Sequence, residues 1–162
     1  MPTFDSFEVY ADHFAFADRE PGVVVAGVRI NGTDLRVLLM DALRPMLTAE
    51  HAAGRRGSGS LEELLDPFEY DAFLPMRDVA PPSQHWLGAP DPYYDEDGRA
   101  AVLTCSCGIF GCGGVTAQIE LQSYYVSWSD FHGANGGDVI PLREFRFLRH
   151  AYEREIQELS AD

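Results

Sequence analysis

All three cysteines of the chain fall within eight residues, Cys105-Ser106-Cys107-Gly108-Ile109-Phe110-Gly111-Cys112. Thiols serve as nucleophiles, redox groups and soft metal ligands, so their crowding points to a specific structural or chemical job. On an extended strand, Cys105 and Cys107 point to one side. Gly108 and Gly111 bracket Ile109-Phe110 as a tight bend requires, and such a bend returns Cys112 toward the pair. Three readings follow. In the first, three thiolates belong to a Cys₃His or Cys₃Asp zinc site, with His132 or His85 as the natural fourth ligand and Asp130 a weaker one. Against it, Cys-x-Cys is tighter than the usual zinc spacing and there is no second cysteine pair. In the second, Cys107 and Cys112 form a reversible disulfide beside Cys105. That reading lacks the Arg or His that would lower a thiol pKa, and no Cys-x-x-Cys is present. In the third, which requires least, reduced and buried cysteines line a glycine-rich hairpin; it leaves the clustering unexplained.

Other chemistry-bearing patterns are weaker. Asp91-Pro-Tyr-Tyr-Asp95-Glu96-Asp97-Gly98 fails the EF-hand template, because Gly98 at the sixth loop position puts Tyr93 first and Thr104 twelfth. Asp91, Asp95, Glu96 and Asp97 remain a minor cation candidate, and Asp97-Gly98 reads better as a turn. The histidines at 13, 51, 85, 132 and 150 form no metalloprotease pattern. Ser58, in Gly57-Ser58-Gly59-Ser60, has no strand before it to make a nucleophile elbow. All twelve basic residues are Arg, so lysine-dependent Schiff-base and P-loop chemistry is excluded. Trp86, Tyr93, Tyr94 and Tyr125 are candidates for a binding face, in competition with ordinary burial. Tyr124 and Tyr125 cannot both face a core from one half-buried strand.

The elements that must position these residues are mostly β. Phe7 and Val9 alternate with polar neighbours, as do Phe14 and Phe16. Val23–Ile30 reads as a strand, Asn31-Gly32 as a hairpin turn, and Leu35–Met40 as the returning strand. Asp41–Ala53 has partial helical spacing, with Pro45 suited to a first turn. Residues 54–60 form a flexible Gly/Ser-rich connection. Ser60 and Glu63 make a capping box for a short helix. The stretch 67–98 contains six prolines and many aromatics, and reads as an ordered excursion packed over the sheet. Val115, Ala117, Ile119 and Leu121 alternate with polar residues as a half-buried strand, and Tyr124–Phe131 is its hairpin partner. Phe145 and Phe147 mark a short strand; Leu148, Tyr152, Ile156 and Leu159 are spaced for a C-terminal helix. The expected architecture is α+β within a single domain spanning 1–162: an antiparallel sheet of about five to seven hairpin-built strands, with the C-terminal helix on it and the Pro-rich excursion over an edge or face.

Bulk properties narrow the function. The net charge is −14, which disfavours nucleic acid and anionic membranes and favours a partner with a basic surface. The N-terminus lacks the features of a secretory signal, no apolar run has spanning length, and the odd cysteine count argues against a disulfide framework. These features lead us to expect a cytoplasmic protein with reduced thiols.

Cys-x-Cys-Gly-x-x-Gly-Cys followed by Trp128-Ser129-Asp130-Phe131, with Phe145-x-Phe147 and Tyr152, resembles a group of small bacterial proteins of unassigned function. The resemblance covers about Leu103–Ile156. It implies that the cysteine hairpin and the Trp hairpin form one structural unit, and it carries no activity or cofactor. The sequence therefore leads to an acidic, non-enzymatic binding or interaction protein, with immunity and inhibitor proteins as the type. The alternative is a zinc-binding or thiol-redox module using Cys105, Cys107 and Cys112.

Overall fold

The N-terminal half is organised by one tight turn. The computed structural model describes residues 3–16, 22–55 and 59–161. Strands β1 (Phe7–Phe14) and β2 (Val23–Ile30) pair antiparallel, with Phe7 opposite Ile30. Asn31 and Gly32 then take φ values of 53° and 80°, the left-handed pair that a two-residue hairpin turn demands. The returning strand is shorter than the sequence suggested. β3 is only Thr33–Asp34, and Leu35 opens an 18-residue helix, α1 (Leu35–Ala52). Asp34 is the reason, because its carboxylate accepts the Arg36 N–H at 2.8 Å and caps the helix start. Leu35, Leu39 and Leu47 then bury one face. Pro45 therefore sits inside a helix rather than in its first turn. Ser60 caps a short second helix, α2 (Leu61–Leu64), by accepting the Glu63 N–H at 3.1 Å. The centre of the Gly/Ser-rich connection, including Ser58, lies outside the described residues.

The larger sheet holds β4 (Asp71–Ala72), β5 (Asp95–Glu96), β6 (Arg99–Cys105), β7 (Gly114–Leu121), β8 (Tyr125–Gly133) and β9 (Phe145–Leu148). Its order is β4-β6-β7-β8-β9, with β5 also on β6, and every pairing is antiparallel. The expected strands thus divide into this six-stranded sheet and the three-stranded β1-β2-β3 unit. An N–H from Ala26 to the carbonyl of Leu74, just beyond β4, ties β2 to the chain leaving the larger sheet at 2.8 Å. The C-terminal helix α3 (Arg149–Gln157) packs on β1, β8 and β9 through Tyr152 and Ile156.

The alternation on β7 is imperfect, for a physical reason. Thr116, expected on the solvent face, is fully buried; its hydroxyl accepts Arg99 Nε–H at 3.2 Å and lies 3.5 Å from the His132 carbonyl. Opposite it, the register shifts between Thr116/His132 and Gln118/Ser129, and Asp130 takes φ 53°. This bulge returns Phe131 to the core only three residues after Trp128, where strict alternation would put it on the other face.

The Pro-rich excursion is ordered and supplies much of the core, with Phe73, Leu74, Met76, Val79, Ala80, Trp86 and Tyr94 buried. Trp86, Trp128, Phe7, Phe147 and Tyr152 form an aromatic cluster with centroid separations of 4.6 to 6.4 Å. The Tyr152 hydroxyl donates to the Trp86 carbonyl at 2.6 Å and accepts Trp128 Nε1–H at 3.0 Å. Burial raises its pKa far above the usual tyrosine value, so it stays a neutral donor. Among the described residues, no helix is long and apolar enough to cross a membrane.

Candidate metal centre

The three cysteines are gathered by the junction between β6 and β7. Extended structure ends at Cys105, so Cys107 lies in a turn rather than on the strand the sequence suggested. Two turns follow in succession. Gly108 N–H donates to the Cys105 carbonyl at 2.9 Å, and Cys112 N–H donates to the Ile109 carbonyl at 3.2 Å. Gly108 and Gly111 take φ values of 93° and 99°, which a residue with a Cβ rarely adopts. The chain re-enters the sheet at Gly114, where an added Cβ would sit 2.6 Å from the Leu103 carbonyl oxygen. Glycine is thus a steric requirement at the end of the loop.

The loop is anchored on its outside. Ser106 N–H donates to the Tyr70 carbonyl at 2.9 Å, and Phe110 N–H donates to the Tyr93 hydroxyl at 3.2 Å. The Phe110 ring packs on Tyr93 and Tyr94, with centroids 6.2 and 5.5 Å away. The Pro-rich excursion therefore braces the loop.

The result is a group of three Sγ atoms that all lie within 4.8 Å of one another. All three cysteines are unbridged; Cys105 and Cys107 are half-buried and Cys112 is exposed. Four-coordinate zinc, with bonds of about 2.3 Å, holds its sulfurs roughly 3.8 Å apart, so the group needs only a small contraction to close on an ion. Cys107 N–H points at Cys105 Sγ from 3.5 Å, a contact that favours the thiolate. Burial is the larger influence and, with the neighbouring thiols, pushes the Cys105 thiol up to about 11. An unligated Cys105 is therefore a protonated thiol at neutral pH, which does not suit a redox nucleophile.

Neither histidine proposed as fourth ligand joins this group. His85 is buried and committed elsewhere: its Nε2–H donates to the Ala101 carbonyl at 2.8 Å, and its Nδ1 accepts Asp91 N–H at 3.0 Å. Burial lowers its pKa, so the ring remains neutral and pins the excursion to β6. His132 lies with Nε2 2.9 Å from Asp130 Oδ1 and Nδ1 3.4 Å from the Gly137 carbonyl, so it pairs with Asp130 across the β8 bulge. Asp130 is likewise outside the thiol group.

The acidic run does not form a cation site among the described residues. Asp91 accepts the Tyr93 N–H, Asp95 accepts the Gly98 N–H, and the two Glu96 oxygens accept Asn135 and Gly136 N–H at 2.7 and 3.1 Å. Asp97, at φ 55°, is the turn residue expected before Gly98. Nor do the four candidate aromatics share a face. Trp86 and Tyr94 are buried, while Tyr93 is exposed beside the thiol loop. Half-buried Tyr125 lies beneath Arg146, 4.7 Å from its guanidinium carbon, in a separate groove. The exposed member of the Tyr124-Tyr125 pair is Tyr124.

One residue beside the loop gave no signal in the sequence. Asp71 on β4 is the cross-strand partner of Cys105, and its carboxyl lies near the Gly114 backbone N–H, which favours its ionised form. Burial raises its pKa to about 6. It lines a hollow of about 200 Å³ with Leu43, Met46, Val115, Asp138 and Ile140. Only the pairing of β4 with β6, a contact across more than thirty residues, places it there. In comparisons with known proteins, the chain matches no family model, no curated protein and no solved structure.

Proposed function

We propose that the protein is a metal-binding module whose ligands are Cys105, Cys107 and Cys112, with zinc as the ion and its fourth position open to an exogenous ligand. The observation that carries this reading is the convergence of three sulfurs within 4.8 Å on one glycine-hinged loop. Packing alone does not require three thiols to meet, and Cys112 is exposed, so burial does not account for it. The ligands lie at a sheet junction already folded by its own hydrogen bonds, and the ion would rigidify the bend between β6 and β7. Metal analysis of protein purified without chelator, combined with thiol titration, tests the reading. It expects one zinc per chain, protection of all three thiols, and loss of both in Cys107→Ser. Absence of zinc uptake at micromolar ion, with three freely reacting thiols, would sink it.

A second reading, a protein-interaction role, is supported by a different region, whose lining is mainly apolar and aromatic with Arg146 at its side. Tyr124 is 82% exposed, and with Phe4 and Leu148 it borders an open groove of about 500 Å³. Pull-down from the native host with wild-type and Tyr124→Ala proteins tests it, and equal recovery of every bound protein by both counts against it.

A further inference from the structure

The thiol group has a property that zinc does not exploit: it is complete with three donors. Among the described residues, no imidazole or carboxylate lies within the 4.8 Å group. The segment from Cys105 to Cys112 contains no basic residue, and the chain carries a net charge of −14. Three thiolates around a dipositive ion leave one negative charge and one unfilled position. Three thiolates around a trivalent, lone-pair-bearing centre are neutral and coordinatively satisfied. Soft sulfur donors also match such a centre in polarisability.

We propose that Cys105, Cys107 and Cys112 form a binding site for the trivalent hydroxides of arsenic and antimony, taken up as neutral arsenous or antimonous acid. The proposal rests on the reading above only in treating the three sulfurs as one donor set. The reaction is a condensation: As(OH)₃ + 3 R–SH → As(SR)₃ + 3 H₂O. Three As–O and three S–H bonds break, while three As–S and three O–H bonds form. Arsenic stays trivalent, so no oxidant or reductant takes part. Each thiol proton leaves in a water molecule, and no net charge is added to the acidic chain. The loop suits the product because Cys112 is exposed, giving the neutral acid an entry side, while Cys105 and Cys107 are half-buried.

Arsenite titration of the reduced, metal-free protein tests this, with residual thiols counted by a chromogenic disulfide. One equivalent of arsenite is expected to remove all three thiols from reaction. Cys105→Ser, Cys107→Ser and Cys112→Ser, confirmed as folded by circular dichroism, are each expected to bind arsenite about a hundredfold more weakly, or worse, because a tethered donor is lost. Protection of two thiols or fewer, or single variants that bind as tightly as the parent, would overturn the proposal. Zinc titration separates it from the reading above. Arsenite protection of three thiols without zinc uptake would remove only the zinc reading. Zinc uptake with incomplete arsenite protection would remove only this one.

Discussion

Replacing Asp71 with Asn should stabilise the protein at neutral pH and leave it nearly unchanged in acid. In the native state, burial raises the Asp71 pKa from 3.8 to about 6. The fold therefore favours the protonated carboxyl, and its contribution to stability is full below the unfolded value of 3.8. As pH rises through about 6, the carboxylate must ionise in a poorly solvated place, and that contribution is lost. The shift corresponds to about 3 kcal/mol. Asn is nearly isosteric with Asp and never carries the charge. Asp71→Asn should thus exceed wild type by about 2 to 3 kcal/mol at pH 7.5, with the difference shrinking to near zero below pH 4. Urea unfolding of both proteins, reduced and in chelator, at several pH values between 4 and 7.5 measures this. The comparison cancels every other titrating group. A difference that stays constant with pH, or a variant less stable at pH 7.5, would refute the reasoning.

Other substitutions probe other joints. Tyr152→Phe should cost about 2 to 4 kcal/mol in chemical unfolding, because it strands both the Trp86 carbonyl and the Trp128 indole N–H in the core. Asp5, held by Arg143, Asn31 and the Arg146 N–H, has its pKa lowered to about 2. Its contribution is therefore present above the unfolded value and lost as pH falls through about 2; Asp5→Asn should cost about 1 kcal/mol at pH 6, after allowance for solvent screening, and nothing below pH 2. Gly114→Ala forces a Cβ toward the Leu103 carbonyl at φ 118° and should cost about 2 kcal/mol or more, read as a lower thermal midpoint.

The parts of the fold that were legible in the sequence are those set by local chemistry. Asn31-Gly32 dictated its turn, Ser60 and Glu63 their cap, and the spacing of Tyr152 and Ile156 their helix face. The residues from Leu35 onward read as a strand in the sequence because a hairpin turn invites a matching return. The countersignal was present: Asp34 as a cap, then Leu35, Leu39 and Leu47 on one helical face. The gathering of the thiols followed from glycine spacing, whereas the placement of His85 and His132 outside the group did not. His85 is drawn away by the Ala101 carbonyl, a partner sixteen residues distant in sequence that no spacing rule identifies. The burial of Trp86 and Tyr94 depends on the excursion folding back onto β6, a contact that composition alone does not place.

The position of the sulfurs between two paired strands has a thermodynamic consequence. Chelation by these thiols would close rings of only a few residues, so little chain freedom would be surrendered on binding an ion. Folding and ligation would then be weakly linked, in contrast to small zinc domains that are disordered without their metal. Removing an ion bound there would leave the sheet standing, and exchange at the loop would run at the speed of local chemistry rather than of unfolding.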